Sequence, residues 1–109
     1  MSFNAEWNTL AEKINRTAKD KGWWDAERND GEMICLMHSE LSEALEGLRH
    51  GNPPSDHIPE FNAVEEELAD VVIRIMDYAH DRGFAVPEAI LAKMEFNSTR
   101  PHKHGGKKF

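Results

Sequence analysis

Four carboxylates in two pairs carry the most chemistry in this chain. Glu40 and Glu43 stand three residues apart in Glu40-Leu41-Ser42-Glu43, and Glu67 and Asp70 do the same in Glu67-Leu68-Ala69-Asp70. On a helix, residues three apart project from one face, a turn apart. Two helices that present such pairs to each other can close oxygen donors around a hard cation. Magnesium binds this way and is often shared with substrate phosphates. The competing reading is a solvated acidic face with salt bridges to Arg74.

Angular position helps to weigh the two. At about 100° per residue, Met33, Leu36, Met37, Leu41, Ala44, Leu45 and Leu48 share one broad apolar arc. Glu40 projects inside that arc and Glu43 lies at its edge, whereas Glu46 falls outside it. A carboxylate on a core-facing side is costly unless it is paired or binds a cation. In the second half Glu67 sits at the arc edge beside Val71 and Tyr78. Asp70 lies further out, with Arg74 between the two. The first pair meets the test and the second meets it in part.

The elements that must position these groups read as four helices. Residues 3–20 place Phe3, Trp7, Leu10, Ala11, Ile14 and Ala18 at three- and four-residue steps, with Ser2 or Asn4 as cap and Gly22 as stop. Residues 31–49 form the second helix, capped by Asp30 and stopped by Gly51 and the Pro53-Pro54 break. Residues 62–82 form the third, starting at a capping-box-like Asn62 and Glu65 and carrying a strong apolar stripe from Val64 to Ala79. Residues 87–98 form a shorter fourth helix with Pro87 in its first turn and Ile90, Leu91 and Met94 facing inward. His50 and His57 flank the break between the second and third helices and are expected to be solvated.

Composition narrows the class. A chain of 109 residues is one domain with one core, and helical chains this small often bury more surface by oligomerising. The net charge is −7, and all 20 acidic residues precede Arg100. An acidic body argues against nucleic acid as a partner and suits a chain that needs cations before it accepts an anionic ligand. The single cysteine, Cys35, excludes an internal disulfide and a cysteine zinc site. No apolar run approaches membrane length, and Met1 is not followed by a basic-then-apolar leader. The expectation is a soluble cytoplasmic protein with no membrane contact.

Two further features bear on a ligand. Trp23 and Trp24 are adjacent in the connector 22–30. They either plug the end of the helical core or stack on a flat ligand such as a nucleobase. Lys93, Asn97 and Arg100 follow one another at four- and three-residue steps and share a face, and the tail 101–109 is basic and contains Gly105 and Gly106. That tail is either disordered or folds over an anion, the glycines allowing close backbone approach. An acidic cation site and a basic face on one small helical chain suit a polyphosphate.

At this point the residues resemble a known family, the MazG-like, all-α nucleoside triphosphate pyrophosphohydrolases. Its signature is E-x-x-E, a spacer, then E-x-x-D. Here Glu40-x-x-Glu43 and Glu67-x-x-Asp70 are separated by 23 residues. The flanking His38-Ser39-Glu40-Leu41-Ser42-Glu43-Ala44-Leu45-Glu46 and Glu66-Glu67-Leu68-Ala69-Asp70-Val71-Val72-Ile73-Arg74 look like the same family. So do Lys93-x-x-x-Asn97, Arg100 and the His104-Gly105-Gly106-Lys107 ending. The resemblance spans residues 23–107. It implies an all-α, four-helix MazG-like bundle completed by oligomerisation as a homodimer or homotetramer. It further implies hydrolysis of a (d)NTP to the monophosphate and pyrophosphate, in the service of nucleotide-pool cleansing, with magnesium required or manganese in its place. Glu40, Glu43, Glu67 and Asp70 would ligate the metal, one of them also helping to deprotonate the attacking water. Lys93 and Arg100 would hold phosphates with Asn97 nearby. Base contacts from Trp23 and Trp24 are an addition of our own.

Three rivals stand beside this. A non-catalytic helical dimerisation module would treat the acidic pairs as surface and leave Glu40 on its apolar arc unexplained. A di-iron carboxylate bundle would repeat Glu-x-x-His, and the chain offers only Asp77-x-x-His80. An HD-type phosphohydrolase is suggested by His80-Asp81 but lacks clear partners for that dyad.

Overall fold

The protein is described here by a computed structural model covering residues 2–101. The tail 102–109, with the anion-folding expectation placed on it, lies outside the described residues. Four α-helices follow one another: α1 Phe3–Asp20, α2 Asp30–Arg49, α3 Ala63–Arg82 and α4 Val86–Ser98. Among the described residues there is no strand, only an isolated bridge between Pro54 and Asn62.

Local chemistry sets the boundaries. The Ser2 hydroxyl accepts from the Ala5 N–H at the start of α1. Asn29, rather than the expected Asp30, caps α2, accepting from the Glu32 N–H at 3.1 Å. Asp30 is instead the first helical residue and pairs with Arg82 at 2.8 Å. Its charge still favours the helix N-terminus. Asn62 and Glu65 form the full reciprocal capping box of α3, and Gly83 ends that helix at φ 73°, a conformation glycine adopts freely.

The centre of the fold is α3, which packs along α2 on one side and α1 on the other, while α4 rests mainly on α1. The line of α2 that meets α3 is Met33, Met37, Glu40 and Ala44, all buried. It continues to Gly47, where an added Cβ would stand 3.2 Å from that of Ala63. The connection between the two helices is stapled rather than loose. Ser55 is buried, its Oγ donating to Glu66 Oε1 at 2.6 Å while accepting from the N–H groups of His57 and Ile58. Asn52 Oδ1 accepts from the Val64 N–H, and His57 Nδ1 pairs with Glu66 Oε2 at 2.8 Å. His57 is therefore engaged although its ring faces solvent.

The core is small and open. Its buried core side chains are Ala11, Met33, Met37, Ala44, Val71, Met76 and Ala79, none of them Leu, Ile or aromatic. Three of the seven apolar residues of the expected α2 arc, Leu41, Leu45 and Leu48, are exposed, as are Leu68 and Val72 on α3. On α4 the inward placement expected of Leu91 and Met94 does not hold: both are exposed, because α4 lies mainly against α1. The radius of gyration is 16.5 Å, against about 13 Å for a compact chain of this length.

Candidate functional site

Where α2 and α3 run side by side, Glu40, Glu67 and Asp70 each offer a carboxylate oxygen within 4.8 Å of the others. The i, i+3 spacing on α3 brings Glu67 and Asp70 to one face, and the Met33-Met37-Glu40-Ala44 line of α2 turns Glu40 onto them. Glu40 is only 9% exposed. Arg74, one turn beyond Asp70, places its Nε 3.0 Å and its Nη2 2.9 Å from Glu40 Oε1. Glu43 stands one turn further along α2, exposed and outside the trio, but close enough to act on Glu67.

The trio is electrostatically unfinished. Burial raises the pKa of the Glu67 carboxyl to about 8, helped by hydrogen bonding and charge from Glu40 and Glu43. Burial also raises Asp70, with the charges of Glu40 and Glu66 adding and Arg74 opposing. Glu67 Oε2 is buried without a donor. The neighbouring oxygens of Glu40 and Glu43 are acceptors too, so a retained proton, a water or a cation must satisfy it. An oxygen-only donor set with one unsatisfied member fits a hard divalent cation.

Above the trio opens a cavity of about 470 Å³ between α1, α3 and the start of α2. Its charged lining combines Glu40, Asp70 and Asp77 with Arg74, Lys13, Lys21 and Arg28, and Leu10, Ile14, Met33, Leu36 and Ile73 form its apolar side. Trp23 forms part of the rim and is 51% exposed. The Arg28 and Arg74 guanidinium carbons each lie 5.7 Å from its ring centroid. Trp24 has a different place. Its Nε1 donates to both oxygens of Asp77 at 3.1 Å, and its ring is flanked by Arg28 and Arg82. Trp24 is thus half-buried among charged partners, whereas Trp23 is exposed at the cavity.

Not every residue singled out in the sequence comes to this site. Lys93, Asn97 and Arg100 are exposed on and just beyond α4 and do not line the cavity. Lys93 Nζ lies 4.5 Å from the Phe96 ring centroid. Two groups that the motif does not contain do come: Asp77, and the buried Asn15, which is 4% exposed and donates from Nδ2 to Asp77 Oδ1 at 2.8 Å. A signal for each was present. Asn15 interrupts an otherwise apolar stripe between Ala11 and Ala18, and Asp77 follows Asp70 by two helical turns on the same face. His80 is exposed and Asp81 is tied to Lys19 and Arg82, so neither the di-iron nor the HD reading finds its ligands here.

Comparison with protein-family models, with curated proteins and with solved structures yields no match. No helix among the described residues is long and apolar enough to cross a membrane. The reading of the site therefore stands on its own geometry.

Proposed function

We propose that the chain is a MazG-like pyrophosphohydrolase that splits a (d)NTP into the monophosphate and pyrophosphate. The observation that carries this reading is the carboxylate trio with its unsatisfied Glu67 Oε2, opening onto a cavity large enough for a nucleoside. Glu40, Glu67 and Asp70 would hold magnesium, with Glu43 completing the set. A bound magnesium would supply Lewis acidity toward the phosphates and the attacking water. One of the four carboxylates accepts that water's proton. Arg74 pairs with Glu40 and lines the same cavity, where it would balance phosphate charge. The apolar wall excludes water from the nucleoside end.

Exposed Leu41, Leu45, Leu48, Leu68 and Val72, together with the open core, support association of two or more copies through α2 and α3. Lys93, Asn97 and Arg100 keep their proposed phosphate role in such an assembly, where α4 of a second copy can approach the site.

A second reading draws on the Glu40–Arg74 pair, which satisfies Glu40 without any cation. It makes the chain a non-catalytic helical dimerisation module. Pyrophosphate release from a panel of canonical and modified (d)NTPs, with and without magnesium, separates the two. Metal-dependent release by the wild type and its loss in Glu40→Gln is the expected result. No turnover, together with no thermal stabilisation by magnesium, would leave the module reading.

A further inference from the structure

Asp77 holds an unusual position for an acidic residue. It lines the cavity at half-buried depth, and no cationic side chain among the described residues pairs with it. Two neutral donors fix it instead. Oδ1 accepts from Asn15 Nδ2 at 2.8 Å and from Trp24 Nε1 at 3.1 Å, and Oδ2 shares the Trp24 donor at 3.1 Å. A carboxylate has about four acceptor sites. Both sites of Oδ1 are therefore taken, and Oδ2 keeps one in full. The result is an acceptor of fixed orientation on the cavity wall, held by neutral donors and set apart along α3 from Asp70.

The distance from this acceptor to the trio is also set. Asp70 and Asp77 are seven residues apart on α3, about 10 Å along the axis. That is comparable to the reach from the 5′ phosphate of a nucleotide to the far edge of its base. Trp23 on the rim is half exposed, and a base stacking on its ring would share it with the Arg28 and Arg74 guanidinium groups.

We propose that this cavity selects a nucleobase bearing one exocyclic amine beside a ring acceptor, of the cytosine or adenine type, and that Asp77 Oδ2 is the group that reads the amine. The proposal rests on the hydrolase reading for its place in a reaction. Uracil and thymine put a carbonyl oxygen where the amine would be, so two acceptors face each other. Guanine pairs its N1–H and amine donors, which suit two open carboxylate oxygens, and Oδ1 is already engaged. Asn15 and Trp24 act as positioning residues, holding the Asp77 carboxylate so that one oxygen faces the cavity.

The test is equilibrium binding of dCMP, dAMP, dGMP, dUMP and dTMP to the full chain, which needs no turnover. Wild type should bind dCMP or dAMP about tenfold or more tightly than dUMP and dTMP. Asp77→Asn, which turns a donor toward the cavity, should erase or invert that ratio. Trp23→Ala should weaken all five without changing their order. Equal binding of all five, or a preference for the keto bases, overturns the proposal. So does an unchanged preference in folded Asp77→Asn. If that variant does not fold, the wild-type order alone decides. Pyrophosphate release from triphosphates, measured in parallel, keeps the two readings apart. Release without base preference sinks only the Asp77 assignment, whereas preference without release sinks only the hydrolase.

Discussion

The Arg74 guanidinium rests two of its nitrogens, Nε and Nη2, on one oxygen of Glu40, leaving the other carboxylate oxygen uncommitted. Arg74 therefore stands in for part of the positive charge the carboxylate trio lacks. Replacing it with Met, which keeps a flexible apolar stem against Trp23, leaves Glu40 buried and unpaired. The expected cost is about 2 kcal/mol, or roughly 10 °C in Tm for a domain of this size. Magnesium should restore most of that loss and bind roughly tenfold more tightly than to wild type, since a competing cation is gone. Thermal scans and calorimetric titrations across a magnesium series check both; equal metal affinity in the two proteins would show that Arg74 and the cation do not share Glu40.

Glu67 makes the cation-free protein sensitive to alkali. Its folded pKa of about 8 lies above its ordinary value, so the folded state binds more protons than the unfolded state between the two. Stability is then lost as pH rises through that window. Asp70, raised for the same main reason, adds to the trend. Tm without divalent cations should fall from pH 5 to pH 8.5, and Glu67→Gln should flatten the slope. At pH 7, cation binding should also release protons, which shows as a dependence of the calorimetric heat on buffer ionisation enthalpy.

A second, separable pH effect comes from the staple between α2 and α3. His57 is raised by its hydrogen bond to Glu66 and by that residue's charge, while Glu66 is lowered by hydrogen bonds from Ser55 and His57. The His57 contribution is fully present below its unfolded pKa and is lost as pH rises through its folded one. The Glu66 contribution is present above its unfolded pKa and is lost as pH falls through its folded one. His57→Ala should remove the first of these and leave the Glu67-dependent slope in place. An NMR titration of the His57 ring gives the sign directly: a midpoint below that of a free histidine would contradict the pairing.

Leu45 on the outer side of α2 is 48% exposed in the single chain. Leu45→Glu should therefore cost the monomer fold little, within about 0.5 kcal/mol, while placing a charge in any α2-mediated contact. Sedimentation should show the wild type as a dimer or tetramer and the variant shifted toward monomer. An identical oligomer in both would put the contact elsewhere, the exposed face of α4 being the next place to look.

The helices and most of their ends were legible because each announces itself locally, through Asn62 with Glu65, Gly83, and Pro87 within the first turn of α4. Glu40's burial was legible too, since its place in an apolar arc is a property of one helix. Which part of that arc meets α3 was not, because Leu41 and Met37 are equally apolar and only the packing of α2 on α3 separates them. The place of Asp77 on the Asp70 face of α3 was legible, but its partners were not. Its role follows from Asn15 and Trp24, which are 62 and 53 residues away in sequence, and no local pattern connects them. Asp30 was misread as a cap because Asn29 beside it does that work and frees Asp30 for Arg82, a partner at the far end of α3.

Because Asp70, Arg74 and Asp77 sit on one uninterrupted helix, the spacing between chemistry and selection is inherited as a unit. A residue inserted between 70 and 77 would swing Asp77 by about 100° around the axis and out of the cavity. Substitution at position 77 would leave the carboxylates untouched. If Asp77 reads the base as proposed, a lineage built on this helix can change which base it accepts through one side chain, but cannot gradually lengthen or shorten the ligand it measures.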